Sequence, residues 1–151
     1  VGARSGIVGS TIGSTQLEYE EGAWTAIITT TGTDFSFSGS RGTLGSYARI
    51  GDMVMITCSP SGPSPSGGTG NLIVSGLPFP AKSNFNSCSS VKTGRVSDIA
   101  NADVISMIFG GEQVIKLFVN SNGATPTALT ASALNGNPTP FVDTTMVYLT
   151  G

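Results

Sequence analysis

The sequence predicts an all-β fold, an antiparallel β-sandwich of the jelly-roll type with an extended N-terminal arm. Short runs of β-branched and aromatic residues recur at a spacing of roughly 8–12 residues, with turn-forming residues between them. No stretch repeats apolar residues at the helical period, and the 21 glycines among 151 residues disfavour helices. A chain of this length is expected to form one domain.

Residues 1–18 are predicted to be an arm or linker, and residues 19–151 the sandwich domain. Glycines interrupt every potential helical turn of the arm, at Gly2, Gly6, Gly9 and Gly13. Its spaced apolar residues, Ile7, Val8, Ile12 and Leu17, suggest packing on another surface, such as a neighbouring subunit. From the abrupt start we expect the chain to be a fragment of a longer protein.

The strands are predicted from apolar runs and alternation, and the turns from glycine and proline. In chain order the strands are 23–30, 35–38, 47–50, 53–58, 71–75, 88–96, 104–109, 113–119 and 144–150. Gly51-Asp52 and Gly110-Gly111 predict hairpin turns, because glycine readily adopts the positive φ that such turns need. The proline-rich segment 59–70 is predicted to be a loop, since proline cannot donate to a central ladder. One helical turn is predicted within 127–134, with Thr130 as its N-cap.

The charges and the length of the apolar runs argue against two classes of partner, nucleic acids and membranes. Lys and Arg number seven against nine Asp and Glu, a net charge of −2. The cations do not cluster, whereas a surface that follows phosphates needs several in a stripe, so no nucleic-acid partner is expected. No apolar run approaches the ~20 residues of a membrane-spanning helix, so no membrane insertion is expected.

The composition also offers little for catalysis. Histidine is absent, so neither a Ser-His-Asp nor a Cys-His relay can be built within the chain. No C-x-x-C pair indicates a zinc site, and no glycine-rich loop ends in Lys-Ser or Lys-Thr to bind phosphate. The sequence therefore predicts a protein that is not an enzyme, with no catalytic residue, metal or cofactor.

One acidic cluster, Glu18, Glu20 and Glu21, could form a calcium site or a pair of catalytic carboxylates. Calcium needs six or more oxygen ligands, and a glycosidase needs two carboxyl groups that flank a cleft. Neither spacing is present, so the favoured interpretation is a solvated entry to the first strand or pairing with Arg49 or Arg95.

The two cysteines, Cys58 and Cys88, are thirty residues apart. They could form a disulfide if their strands are neighbours. Two separate buried thiols are the favoured interpretation, because free cysteine is among the most buried residue types. Trp24, the sole tryptophan, could stack on a sugar, but a strand tryptophan is more often a core anchor, and we expect the latter.

Four segments carry a family resemblance: YEEGAWT at 19–25, YARIGDMV at 47–54, GNLIVSGLPF at 70–79, and ALTASAL at 128–134 ahead of the terminal Tyr-Leu-Thr. In this order and spacing they resemble the C-terminal domain of tailed-bacteriophage tail fibres and tail spikes. That family's first segment usually reads Tyr-Glu-Glu-Gly-Thr-Trp-Thr-Pro, and here Ala23 replaces the threonine and Ala26 the proline. The resemblance covers residues 19–151.

The resemblance implies a β-rich tip domain on the exterior of a virion, usually a homotrimer, that attaches the particle to a host-cell surface glycan or protein. The composition also favours a trimer, because many strands with few charges leave edges and faces that need covering. Three alternatives are kept: a purely structural trimerisation cap, a fragment of a glycan-depolymerising tail spike, and a cellular carbohydrate-binding module.

Receptor contacts are expected first in the loops 59–70 and 81–87, because loops carry contacts while a rigid scaffold positions them. Asn84, Phe85 and Asn86 combine two amides with a ring, which suits sugar hydroxyls; the alternative is a plain connection with Phe85 turned inward. Tyr47 and Arg49 share one strand face. They could bind sugar hydroxyls or form a pair on the sheet surface or at a subunit contact, and the sequence does not separate these readings.

Overall fold

A computed structural model describes residues 18–97, 99, 102–121 and 123–151, so most of the predicted arm lies outside it. Within these residues the chain forms ten strands and one 3₁₀ helix. The strands are β1 (Tyr19–Thr25), β2 (Ile27–Thr30), β3 (Gly42–Ile50), β4 (Met53–Ser61), β5 (Leu72–Ser75), β6 (Ser87–Gly94), β7 (Asp103–Ile108), β8 (Val114–Asn120), β9 (Thr127–Ala128) and β10 (Phe141–Leu149), and the 3₁₀ helix is Ala131–Ala133. No helix in the described part of the chain is long and apolar enough to cross a membrane.

All strand pairs are antiparallel and form one continuous path, β1-β3-β4-β10-β6-β7-β8-β5-β2, with β9 beside β8. The two ends of this path, β1 and β2, are separated in the chain only by Ala26, which is fully buried. The Ala26 N–H donates to the carbonyl of Thr43 at 3.2 Å. The sheet therefore curls until its edges meet, and the predicted all-β antiparallel fold is confirmed as a nearly closed, barrel-like sandwich.

A second corner lies in β6, which belongs to both layers. Its first half pairs with β7, from Ser87 to Ser90, and its second half pairs with β10, from Val91 to Gly94. The front sheet thus contains β1, β3, β4, β10 and the second half of β6. The back sheet contains β2, β5, β8, β9, β7 and the first half of β6.

The core lies between the two sheets and follows strict alternation along the strands. In β4, Val54 and Ile56 point inward while Met53 and Met55 point outward. Each fully buried side chain of this kind contributes roughly 1.5–3 kcal/mol relative to exposure. Tyr148 connects β10 to the loop between β5 and β6, because its buried hydroxyl donates to the Phe79 carbonyl at 3.0 Å.

Both predicted hairpin turns are present, with Gly51 at φ +57° and Gly111 at φ +83°. The predicted strand at 35–38 is instead a single bridge between Ser36 and Ser66. Thr130 does precede the 3₁₀ helix, but its side chain makes no cap hydrogen bond. Its hydroxyl lies 2.7 Å from the Ser132 hydroxyl.

Strand β4 runs through Pro60 to Ser61, where the sequence predicted a loop from residue 59. Pro60 is in register with Thr43 of β3. On the other side, the β4–β10 register is interrupted between Cys58–Thr144 and Ser61–Phe141. Proline has no N–H to donate, so it is tolerated where the ladder is broken.

Candidate binding surface

The outward face of the front sheet is organised in cross-strand rows, because residues directly opposite in an antiparallel pair share a face. On β3, β4, β10 and β6 the rows are, in order, Ile50–Met53–Leu149, Ala48–Met55–Val147, Ser46–Thr57–Thr145, then Leu44–Ser59 with Asp143–Lys92, and Gly42–Ser61–Phe141–Gly94. Strand β1 extends the first three rows with Tyr19, Glu21 and Ala23. The face changes from apolar at one end, through hydroxyl and charged groups, to an aromatic ring at the other.

The apolar end forms a contiguous patch, which we call the apolar strip: Ile50, Met53, Met55 and Val147. Six large apolar side chains are exposed among the described residues, and the only one away from this face is Phe85. Single exposed apolar residues are ordinary, whereas adjacent ones on three neighbouring strands make this patch a candidate interaction surface.

The central rows form part of an open groove of about 630 Å³. We call it the hydroxyl groove, and its lining residues are Thr57, Cys58, Ser59, Ser89, Ser90, Val91, Lys92, Asp143, Thr144 and Thr145. The groove lies where β6 turns away from β10, since the pairing of these strands ends at Val91–Thr144. The diverging strands leave a wedge in which side chains from β4, β6 and β10 meet.

Hydrogen bonds fix the polar groups of the hydroxyl groove. The Thr57 and Thr145 hydroxyls lie 3.2 Å apart. The Ser59 hydroxyl donates to Oδ1 of Asp143 at 2.5 Å. The Ser89 hydroxyl donates to the Thr145 carbonyl at 2.7 Å. One of the two threonine hydroxyls donates to the other, so the accepting hydroxyl can still donate its own proton to a ligand. Asp143 has a second carboxylate oxygen, Oδ2, that can accept a hydrogen bond from a ligand.

The floor of the groove is formed by a buried pair of hydroxyl groups and a buried thiol. The buried Thr144 hydroxyl lies 3.0 Å from that of Ser106, in a pair that joins the two sheets. Burial, followed by the negative charge of Asp143, raises the pKa of the Cys58 thiol to about 12. Because the thiolate is the nucleophile, this shift makes Cys58 a poor nucleophile at neutral pH.

The two cysteines are free, and the disulfide that the sequence left open is not formed. Cys58 is buried between the sheets, as expected, whereas Cys88 is exposed. Cys88 faces outward on β6, opposite Met107 of β7. Strand alternation explains the difference, because the two cysteines occupy opposite orientations in their strands.

Tyr47 and Arg49 lie together around Phe79. The Tyr47 and Phe79 rings meet edge to face with centroids 5.4 Å apart, and the Arg49 guanidinium carbon lies 4.9 Å from the Phe79 centroid. The Tyr47 hydroxyl donates to Glu20 at 2.7 Å, a bond that raises the pKa of Tyr47. Arg49 Nε donates to the Gly51 carbonyl at 2.7 Å. These contacts engage the Tyr47 hydroxyl and Arg49 Nε within the fold.

The loop with Asn84, Phe85 and Asn86 lies against the β7–β8 turn. Asn84 adopts φ +68°, and Oδ1 of Asn86 accepts the Gly110 N–H at 3.1 Å. Phe85 is 52% exposed rather than turned inward. No hydrogen bond or ring contact between described residues joins this loop to Tyr47 or Arg49, so the five candidates form two separate groups.

Two members of the acidic cluster, Glu20 and Glu21, accept hydrogen bonds from tyrosines, and Glu18 is exposed at the entry to β1. The Tyr19 hydroxyl donates to Glu21 at 2.6 Å, and Glu20 accepts from Tyr47. Arg95 donates to the Pro138 carbonyl at 3.0 Å. Among the described residues, no three His, Cys, Asp or Glu side chains are grouped as metal ligands.

Sequence reasoning missed the hydroxyl groove. Its signal is faint: Thr57 and Ser59 alternate on one strand, and Asp143 and Thr145 alternate on another. Only the pairing of β4 with β10, more than eighty residues apart, brings these side chains together. The sequence shows the alternation of side chains along each strand, but it does not show which strands pair with one another.

No protein-family model matches the chain, and no curated protein matches its sequence. The fold is similar to part of a solved structure, that of the Dettilon tailspike protein (gp208), with a TM-score of 0.68 at 14% sequence identity. The match covers 86% of this chain and 23% of the tailspike chain, so this chain spans less than a quarter of that protein's length. The two proteins share a fold over this region.

Proposed function

We propose that the chain is a domain of a phage tail appendage, a tail spike or tail fibre, that assembles as a homotrimer and binds a host-cell surface receptor, in the first place a glycan. The observation that carries the proposal is the fold shared with a phage tailspike over 86% of the chain. The four ordered segments that resemble tail-fibre and tail-spike tips support it independently, because they were identified from sequence. The proposed location is the exterior of the virion.

The apolar strip supports assembly from copies of the chain. It exposes Ile50, Met53, Met55 and Val147 side by side, with Met55 at 49% exposure. No charged side chain belongs to its two rows on β3, β4 and β10, and Glu21 of β1, opposite Ala48, borders the strip at its edge. A surface of this kind gains stability when a second apolar surface removes it from water. Three copies would also present three receptor sites, which can raise apparent affinity by ~10²–10⁴ when all engage.

A structural cap is the second candidate, because the apolar strip supports assembly without requiring a receptor. Adsorption of the fluorescently tagged chain to a panel of bacterial strains, measured by flow cytometry, separates the two candidates. Saturable adsorption to some strains and not to others is expected for a receptor-binding domain. No adsorption to any strain in a broad panel would favour the cap.

The expectation that the chain is not an enzyme is tested in the same preparation. Incubation of the chain with purified capsule or O-antigen is expected to release no reducing ends above the buffer control. Release that grows with time and with protein concentration would instead identify a fragment of a glycan depolymerase.

A further inference from the structure

The hydroxyl groove has the placement of a binding site. Its walls are strands β4, β6 and β10 rather than mobile loops, and side chains on rigid elements are held more accurately than side chains on loops. Its volume of about 630 Å³ lies within the range of roughly 300–1,000 Å³ that small-molecule sites occupy. This is enough room for a short stretch of an oligosaccharide.

The chemistry of the lining matches sugar hydroxyls, each of which both donates and accepts. The Thr57 and Thr145 hydroxyls can do both, Oδ2 of Asp143 accepts, and the Lys92 ammonium donates. Lys92 is in register with Asp143, and it forms no ion pair with the described carboxylates. Hydrogen bonds to charged groups are the stronger ones, so Asp143 and Lys92 are the expected anchors.

The charge of the groove selects between classes of glycan. Asp143 and Lys92 carry opposite charges, and the other lining residues are uncharged at neutral pH. A polyanionic chain would need several cations to replace its counterions. The groove therefore suits uncharged sugar units better than phosphate-rich or uronic acid polymers.

Apolar surface borders the groove on the side away from the apolar strip, where it can meet a sugar's C–H face. The Phe141 ring lies over Gly94, which lacks the Cβ that would collide with it. Lys92 Nζ lies 6.0 Å from the centroid of this ring. A sugar held by Asp143 can thus pack against the aromatic ring while the apolar strip stays available for contact between copies.

We propose that the hydroxyl groove binds an uncharged glycan, with Asp143 accepting and Lys92 donating hydrogen bonds to sugar hydroxyls and Thr57 and Thr145 completing the contacts. The identification of the host surface as the source of this glycan rests on the proposed function. The groove is distinct from the loop of Asn84, Phe85 and Asn86 and from the pair Tyr47 and Arg49.

The test is titration of the ¹⁵N-labelled chain with a panel of uncharged di- to hexasaccharides built of hexoses and N-acetylhexosamines, followed by NMR. At least one member is expected to shift the amide signals of the groove residues on β4, β6 and β10. Shifts confined to residues 84–86, or no shifts with any member at millimolar concentration, would overturn the proposal.

Variants assign the binding to individual groups. Asp143→Asn is expected to weaken binding at least about tenfold, since a hydrogen bond to a charged acceptor is stronger than one to a neutral amide. Thr145→Val, an isosteric change at an exposed site, is expected to weaken it severalfold. The matched controls, Asp103→Asn and Thr43→Val, alter exposed residues outside the groove and are expected to bind like the parent chain. Equal affinity of all four variants would contradict the proposal.

Adsorption to cells distinguishes this inference from the proposed function. If the parent chain and both groove variants adsorb equally to a susceptible strain, the groove is not the receptor site, although the proposed function stands. If oligosaccharides shift the groove signals but no strain is bound, the groove binds glycan and the proposed function fails.

Discussion

The indole ring of Trp24 lies directly over Gly45, its register partner on β3. A Cβ at position 45 would lie 2.7 Å from the indole Cε2, closer than real Cβ atoms approach a neighbour. The indole Nε1 also donates to the Ser46 carbonyl at 3.1 Å. The core role predicted for the sole tryptophan is confirmed, since Trp24 is only 8% exposed. Its position depends on the glycine beneath it.

Gly45→Ala is therefore expected to destabilise the fold by about 1–3 kcal/mol, the usual cost of overpacking. The free energy of unfolding can be measured by urea denaturation, with the fluorescence of the single tryptophan as the probe. Ser46→Ala is the control, because it changes the exposed neighbour and keeps the backbone carbonyl that Trp24 uses. Equal stability of Gly45→Ala and the parent chain would contradict this packing.

The two thiols are expected to differ sharply in reactivity. Ellman's reagent at pH 8 should modify Cys88 rapidly and Cys58 at least about a hundredfold more slowly, because burial raises the pKa of Cys58 to about 12. Denaturation should release the second thiol, and Cys88→Ser should abolish the fast phase. No reaction before reduction would indicate a disulfide and contradict the structure.

Asp34 is expected to make stability depend on acid pH. Burial alone would raise its pKa. The Phe35 backbone, the Thr29 hydroxyl at 2.9 Å and Arg41 at 3.0 Å outweigh burial and lower the pKa below its ordinary value of 3.8. A pKa that is lower in the folded state gives stabilisation that is complete above the unfolded pKa and lost as the pH falls through the folded pKa.

Asp34→Asn should therefore lower stability at pH 7 by less than about 1 kcal/mol, as expected for an exposed ion pair. The difference from the parent chain should shrink as the pH falls below 3.8. Urea denaturation at a series of pH values between neutral and acid measures it. A difference that stays constant across this range would show that the carboxylate charge is not responsible.

If copies of the chain associate through the apolar strip, a charge placed within the strip should separate them. Met55→Glu places a charge in the middle of the strip and is expected to convert a trimer into monomers at micromolar concentration, as measured by sedimentation equilibrium. Phe85→Glu is the matched control, because Phe85 is exposed to a similar extent, 52% against 49%, and lies away from the front sheet. A monomeric parent chain, or dissociation of both variants alike, would contradict assembly through the strip.

Local patterns in the sequence predict much of the fold correctly. Alternation in 53–58 gave the correct inward and outward faces of β4, and Gly51 gave the correct turn before it. The segment 23–30 was identified as strand, but the transfer between sheets at Ala26 was not, because nothing local distinguishes a strand that stays in one sheet from one that changes.

The errors have a common physical cause, which is that long-range pairing overrides local propensity. Strand β3 begins at Gly42 rather than at residue 47, through glycines that local propensity disfavours, because Gly45 makes room for Trp24. The hydroxyl groove depends in the same way on the pairing of distant strands. The exposure of Phe85 depends on how its loop packs on the β7–β8 turn, which no local pattern reveals.

The most direct test of glycan recognition is adsorption of the tagged chain to a susceptible strain after selective treatment of the cells. Mild periodate oxidation destroys vicinal diols of surface glycans, whereas protease removes surface proteins. We expect periodate to abolish saturable adsorption and protease to leave it unchanged. Adsorption that survives periodate and is lost after protease would contradict glycan recognition.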